Sequence, residues 1–151
     1  MVYLGLGSNL GDKRVNIMKA LSLITERVGD ILALSDFYKS QSWGYESLQT
    51  YLNVAIALET ELTPEDLLVE TQQIEYAIGR KSKTIRGQYQ DRVIDIDILL
   101  YKDRIIQTSD LTIPHPLLHQ RQFVLKPLSE IAAHVIHPIL NTTITELFLK
   151  I

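Results

Sequence analysis

The sequence predicts an α+β domain of the ferredoxin-like kind, with helices packed on an antiparallel sheet. Three observations carry this expectation. Strand-like and helix-like stretches follow in the order β-α-β-β-α-β, which avoids the strict βα alternation of a parallel sheet. A chain of 151 residues, 46% of them hydrophobic, suits one domain spanning 1–151 around a single core. Capping residues and glycines also fall where those helices should start and stop.

Each element has its own signal. Residues 2–7 alternate Val2, Leu4 and Leu6 with Tyr3, Gly5 and Gly7, a half-buried strand whose glycine face lets something approach closely. Asp12 can cap the next helix, where Ile17, Met18, Leu21, Ile24 and Val28 recur as a core stripe until Gly29 ends it. Residues 31–38 read as a second strand and 39–50 as a long loop. In the strand 51–59, Leu52, Val54, Ile56 and Leu58 share one face, while Tyr51, Asn53, Ala55 and Ala57 share a roomier one. Thr63-Pro-Glu-Asp66 opens a helix with a capping threonine and proline at its first position; Leu67, Leu68, Thr71, Ile74 and Ile78 are its buried stripe, and Gly79 closes it. Lys102-Asp103 is a hairpin turn before short strands at Ile105-Ile106 and 111–113. Residues 117–126 form a short helix, and Thr143-Ile-Thr-Glu146 opens a terminal one.

Composition excludes several classes. The net charge of -3 and pI near 5.8 argue against a general nucleic-acid or membrane-surface binder, so any recognition of anions must be local. Without cysteine there are no disulfides or thiolate metal sites. No apolar run approaches the length of a membrane span and no leader pattern opens the chain, so a cytoplasmic protein is expected.

The chemistry concentrates in Arg92-Val-Ile-Asp-Ile-Asp-Ile-Leu-Leu-Tyr101. Asp95 and Asp97 lie two apart in a strand, so both point one way, about 7 Å apart, while Ile94, Ile96, Ile98 and Leu100 face the other side. Such a pair is costly unless solvated, paired or bound to metal, and it suits hard cations holding phosphates. Immediately upstream, residues 80–92 hold 5 of the chain's 15 basic residues in 13 positions, a supply of donors for phosphate oxygens. No P-loop sequence is present, and Gly5-Leu-Gly7 lacks the doubly wound context of a dinucleotide fold. His134 and His137 are expected to be structural, whereas His115, between two prolines, is a candidate phosphate contact. Tyr51 beside Asn53 is equipped to stack on and edge-read a flat heterocycle. On residues alone, a two-metal phosphodiesterase and a ligand-binding regulatory module stay open beside a phosphate-transfer enzyme.

Four segments narrow this. Gly5-Leu-Gly-Ser-Asn-Leu-Gly11, Tyr51-Leu-Asn-Val-Ala-Ile-Ala-Leu-Glu-Thr60, the Asp95/Asp97 strand and Ile113-Pro-His-Pro-Leu-Leu-His-Gln-Arg-Gln-Phe-Val124 resemble, in order, the 6-hydroxymethyl-7,8-dihydropterin pyrophosphokinases. The resemblance implies a folate-biosynthesis enzyme that moves pyrophosphate from ATP to a pterin hydroxymethyl group with two Mg2+ ions. It implies small-molecule substrates, no nucleic-acid or membrane partner, and a monomer. Carried over by position, Asp95 and Asp97 hold the metals, and Arg80 and Arg92 lie near the transferring phosphates. Gln72, Lys83, Arg86, Arg92, Ile96, Leu111, Thr112, His115 and Arg121 fall on the ATP side. Tyr51 and Phe123 sandwich the pterin, Asn53 reads its edge, and Ser40, Gln41, Ser42 and Trp43 complete the pocket through their backbone. Glu75 matches a family position without an assigned role. The chain departs from the family in having Arg86-Gly-Gln-Tyr-Gln-Asp-Arg92 where many members have Arg-Trp-Gly-Pro-Arg, and Gln41 and Ser42 where prolines are common. The basic segment is expected to close over bound ATP and exclude water.

Overall fold

The computed structural model describes residues 1–41, 50–79 and 93–151. Strand β1 (Val2–Ser8) leads to α1 (Lys13–Arg27), whose first turn is capped by Asp12 accepting the Val15 N–H at 3.2 Å. Strands β2 (Gly29–Leu34), β3 (Tyr38–Ser40) and β4 (Tyr51–Thr60) follow. Helix α2 (Pro64–Ile78) has Thr63 accepting the Asp66 N–H at 3.1 Å and ends at Gly79, whose φ of 142° favours glycine. Then come β5 (Asp95–Tyr101), the paired short strands β6 (Ile106–Gln107) and β7 (Thr112–Ile113), a 3-10 turn over Leu118–Gln120, α3 (Gln122–Ala132) and α4 (Ile144–Leu149).

The sheet order is β2-β4-β1-β5 with every neighbour antiparallel, and β3 extends the pairing along β4. Helix α1 therefore carries the chain past β4, and α2 carries it past β1. These two interleaved crossovers make the expected ferredoxin-like α+β arrangement. On one face, Val2, Leu4, Leu6, Val54, Ile56 and Leu58 meet Ile17, Ile24, Leu67 and Ile74 of α1 and α2. On the other, Tyr3, Ala55, Ala57, Leu99 and Leu100 meet Leu125, Leu128, Ile144 and Leu147 of α3 and α4. Each fully buried leucine or isoleucine contributes roughly 1.5–3 kcal/mol.

Several expectations are corrected. Met18 is 51% exposed; the α1 stripe runs through Ile17, Ala20, Leu21 and Ile24, and a residue one step from Ile17 turns about 100° away. Gly29 does not end α1 but begins β2, where a Cβ would lie 2.1 Å from the Glu59 carbonyl oxygen. The strand expected over 31–38 is interrupted at Ser35, whose hydroxyl accepts the Ala55 N–H at 2.9 Å in place of a backbone carbonyl. The turn at Lys102 forms, but β6 pairs with β7 and not back onto β5. Leu100 lies with Leu99 on the α3/α4 face, because a bulge opposite Tyr3 and Leu4 breaks the alternation. The short helix expected over 117–126 divides at Arg121, whose extended backbone separates the 3-10 turn from α3. Helix α3 then continues through Pro127 to Ala132 although the proline forfeits the bond to the Phe123 carbonyl, because Leu128 and Ala132 beyond it enter the core.

Candidate active site

The site begins as a row across three strands. Gly7 of β1 pairs with Asn53 of β4 on one side and Asp95 of β5 on the other; Gly5 pairs likewise with Ala55 and Asp97. Two strand spacings separate Asn53 from Asp95, about 10 Å of backbone. The glycines leave a trough between them. A Cβ on Gly7 would sit 3.1 Å from Asn53 Oδ1 and 3.3 Å from Tyr51 Cδ1, and one on Gly5 would sit 3.3 Å from Leu99 Cδ1.

Helix α3 roofs this trough into a cavity, where Tyr51, Asn53, Asp95, Asp97, Arg121 and Phe123 come together and Gln41 reaches the rim. Residues that the sequence reading did not single out for the site also line it, among them Leu6, Val54, Leu99, Val124 and Pro127. Of these, Leu99 shares the parity of Asp95 and Asp97 but shows only apolar character, as do Val124 and Pro127. Asn53 is buried and commits both amide protons, to the Tyr38 carbonyl at 3.1 Å and the Ser40 hydroxyl at 2.8 Å, so its oxygen is what remains for a ligand. Ser40 thus supports Asn53 from β3 and borders a neighbouring depression shared with Gln41 and Phe123. The Arg121 guanidinium lies 5.6 Å from the Phe123 ring centre, a cation–π distance.

Asp95 and Asp97 are half-buried and share the cavity side of β5 as expected. Among the described residues, no group of three or more histidine or acidic side chains is gathered as a metal cage. Two carboxylates nonetheless fit Mg2+, which is commonly held by one or two carboxylates while substrate phosphates and water fill the remaining positions. Ile96, between them, points its side chain into the α1/α2 core, and its N–H is bound by the Glu75 carboxylate at 2.8 Å. Only its carbonyl could face a nucleotide.

His115 is held by its own N–H, which donates to the Leu99 carbonyl at 3.0 Å. Its ring Nδ1 accepts the Leu117 N–H at 3.2 Å, which leaves the proton on Nε2. Burial, helped by the positive charge of Arg121, pushes the ring's pKa down to about 4. Thr112 is partly exposed on β7. Leu111 is buried, and its N–H and carbonyl are both bonded to Thr108. Gln72 is half-exposed on α2 and is not among the cavity residues. His137 is structural as expected, its Nδ1 accepting from Ile139 and Leu140. Ser42, Trp43, Arg80, Lys83, Arg86 and Arg92, and the expected closure of the basic segment, lie outside the described residues.

Fold and cavity define a class: an α+β enzyme domain with a small-molecule cleft between the sheet and a covering helix. The model of the 7,8-dihydro-6-hydroxymethylpterin-pyrophosphokinase (HPPK) family matches residues 3–133. A 2-amino-4-hydroxy-6-hydroxymethyldihydropteridine pyrophosphokinase of Porphyromonas gingivalis is 48% identical over 139 residues, covering 91% of this chain and 94% of that protein. One from Aquifex aeolicus is 43% identical over 145 residues, covering 96% and 88%. The chain belongs to this family. It is a pyrophosphokinase that uses ATP to pyrophosphorylate hydroxymethyldihydropterin in folate synthesis. The crystal structure of Plasmodium falciparum HPPK-DHPS with pteroate shares the fold, with a TM-score of 0.80 at 17% identity over 99% of this chain; this chain spans 44% of that one.

Proposed function

We propose that the cavity between the Gly5/Gly7 trough and α3 is where the pterin meets ATP, and that residues 1–151 work as one monomeric, cytoplasmic domain with neither nucleic-acid nor membrane partners. Among the described residues, no helix is long and apolar enough to cross a membrane. The observation that carries the reading is the row Asn53-Gly7-Asp95, which sets a heterocycle-reading amide and a metal-binding carboxylate at opposite sides of one bare trough.

Tyr51 and Phe123 stack on the pterin, and Asn53, its donors spent, accepts from a ring N–H or the exocyclic amine. Ser40, Gln41, Ser42 and Trp43 close the pterin side. Asp95 and Asp97 would hold two Mg2+ ions, and the chemistry these would supply is neutralisation of phosphate charge. On the ATP side, His115 donates from Nε2–H as a neutral group, and Arg121 supplies charge from the wall it shares with Phe123. Gln72, Lys83, Arg86, Leu111, Thr112 and the carbonyl of Ile96 complete that side, with Arg80 and Arg92 nearest the transferring phosphates. The pterin hydroxyl oxygen then bonds to the β-phosphorus and gives up its proton to water, while the bond from that phosphorus to the α,β-bridging oxygen breaks and AMP leaves. Positioning and charge neutralisation supply the acceleration.

Asp97→Asn tests the assignment. Turnover to AMP, followed by nucleotide chromatography at saturating Mg2+, should fall about a hundredfold or more, with the melting temperature little changed. Turnover like that of the unaltered enzyme would remove the acids from the metal site.

A further inference from the structure

Glu75 is a charged residue buried to 4% exposure in the penultimate turn of α2. A carboxylate so placed is costly unless something holds it. Its Oε2 accepts the N–H of Ile96 at 2.8 Å, and Ile96 is the residue between Asp95 and Asp97. Among the described residues β5 is the last strand of its sheet, so on its outer margin no further described strand takes the N–H groups that point away from β1. The Glu75 side chain fills that ladder position. Glu75 does not join the two aspartates in a metal-ligating cluster. An N–H that needed only a partner could be served by a neutral amide; a charge-assisted bond holds the peptide more stiffly.

We propose that Glu75 is a positioning residue: by gripping the Ile96 N–H from α2 it fixes the peptide that aims Asp95 and Asp97 into the cavity. The inference rests on the reading of those aspartates as the Mg2+ site. It gives the helix before the basic segment a task in cation binding that no direct contact with substrate supplies.

The test compares Glu75→Ala, Glu75→Gln and Asp97→Asn by titration with Mn2+ in the presence of a non-hydrolysable ATP analogue, read by water-proton relaxation, alongside steady-state kinetics. In Glu75→Ala the Mn2+ midpoint should rise about tenfold and kcat fall by a similar factor, with KM for the pterin within about twofold. Glu75→Gln retains an acceptor for Ile96 and should recover both to within about threefold of the parent enzyme. A Glu75→Ala midpoint within about twofold of the parent, whatever happens to its melting temperature, would overturn the proposal. So would a Gln variant as impaired as the Ala variant. If Asp97→Asn weakens Mn2+ binding and Glu75→Ala does not, the positioning role alone fails. If Asp97→Asn leaves Mn2+ binding intact, the metal reading fails first and takes this inference with it. Should Glu75→Ala not fold, Glu75→Met fills the space without an acceptor and is held to the same outcomes. Hydrogen exchange of the unaltered protein adds a check free of variants: the Ile96 amide should exchange slowly, and exchange at the rate of a free edge amide overturns the proposal.

Discussion

His115 shows how a single residue couples site and stability. Its native pKa, pushed down to about 4 by burial and then by Arg121, lies below the ordinary value near 6.5. The unfolded chain therefore takes up the proton first as pH falls. Stability is full above about pH 6.5 and is lost progressively toward pH 4, by an amount on the order of 3 kcal/mol. Urea midpoints measured from pH 7.5 down to 4.5 should decline more steeply in the parent protein than in His115→Gln; parallel slopes would contradict the assignment. Gly7 couples strand and ligand in another way. Gly7→Ala forces a Cβ to 3.1 Å from Asn53 Oδ1 and 3.3 Å from the Tyr51 ring, so KM for the pterin should rise about tenfold while KM for ATP holds. Initial-rate kinetics with each substrate varied in turn decide this. At this scale, Tyr51, Asn53 and the acid pair were legible because strand alternation alone puts them on common faces. The partner of Glu75 was not, since Ile96 is 21 residues away and only the fold brings the two together.

At the scale of elements, the helix starts were the most legible features, because Asp12, Thr63 and Thr143 each act through a hydrogen bond three residues long. The breaks were harder. Nothing local announces that the Ser35 hydroxyl will take the Ala55 N–H in place of a ladder carbonyl, or that β5 will carry one residue more than β1. Helix α3 outran its expected end because Pro127, midway along it, costs one bond while Leu128 and Ala132 beyond it have a core to enter. Gly29 is required by its neighbour. Gly29→Ala must push back the Glu59 carbonyl that β2 and β4 pair around, and the loss should be about 3 kcal/mol or more, read as a lowered midpoint in urea. A midpoint near that of the parent would mean that the edge yields without cost.

In the whole molecule, one sheet serves two cores, with Leu4, Ile56 and Ile98 on one side and Ala55, Ala57 and Leu99 on the other. Neither layer can come apart without exposing strands the other needs. Thermal unfolding followed by far-UV and by tyrosine near-UV circular dichroism should accordingly give one shared midpoint, since Tyr3 and Tyr101 report from opposite faces. Two separated transitions would show the layers to be independent. The fold class was legible from the order of elements, as periodicity survives without any knowledge of contacts. The cleft was legible only in part: alternation grouped its polar residues, but the roof supplied by Val124 and Pro127 depends on how α3 lies across the sheet.

The doubled leucine of β5 lets the two ends of that strand answer to different neighbours. Tyr101 sends its hydroxyl to the Leu62 carbonyl beneath α1 and α2, while Asp95 and Asp97 look out to the cleft from the opposite side. Unbroken parity would put all three odd-numbered side chains on one surface. A chain one residue shorter at this place would have to surrender either the tyrosine's anchorage or the aim of both acids.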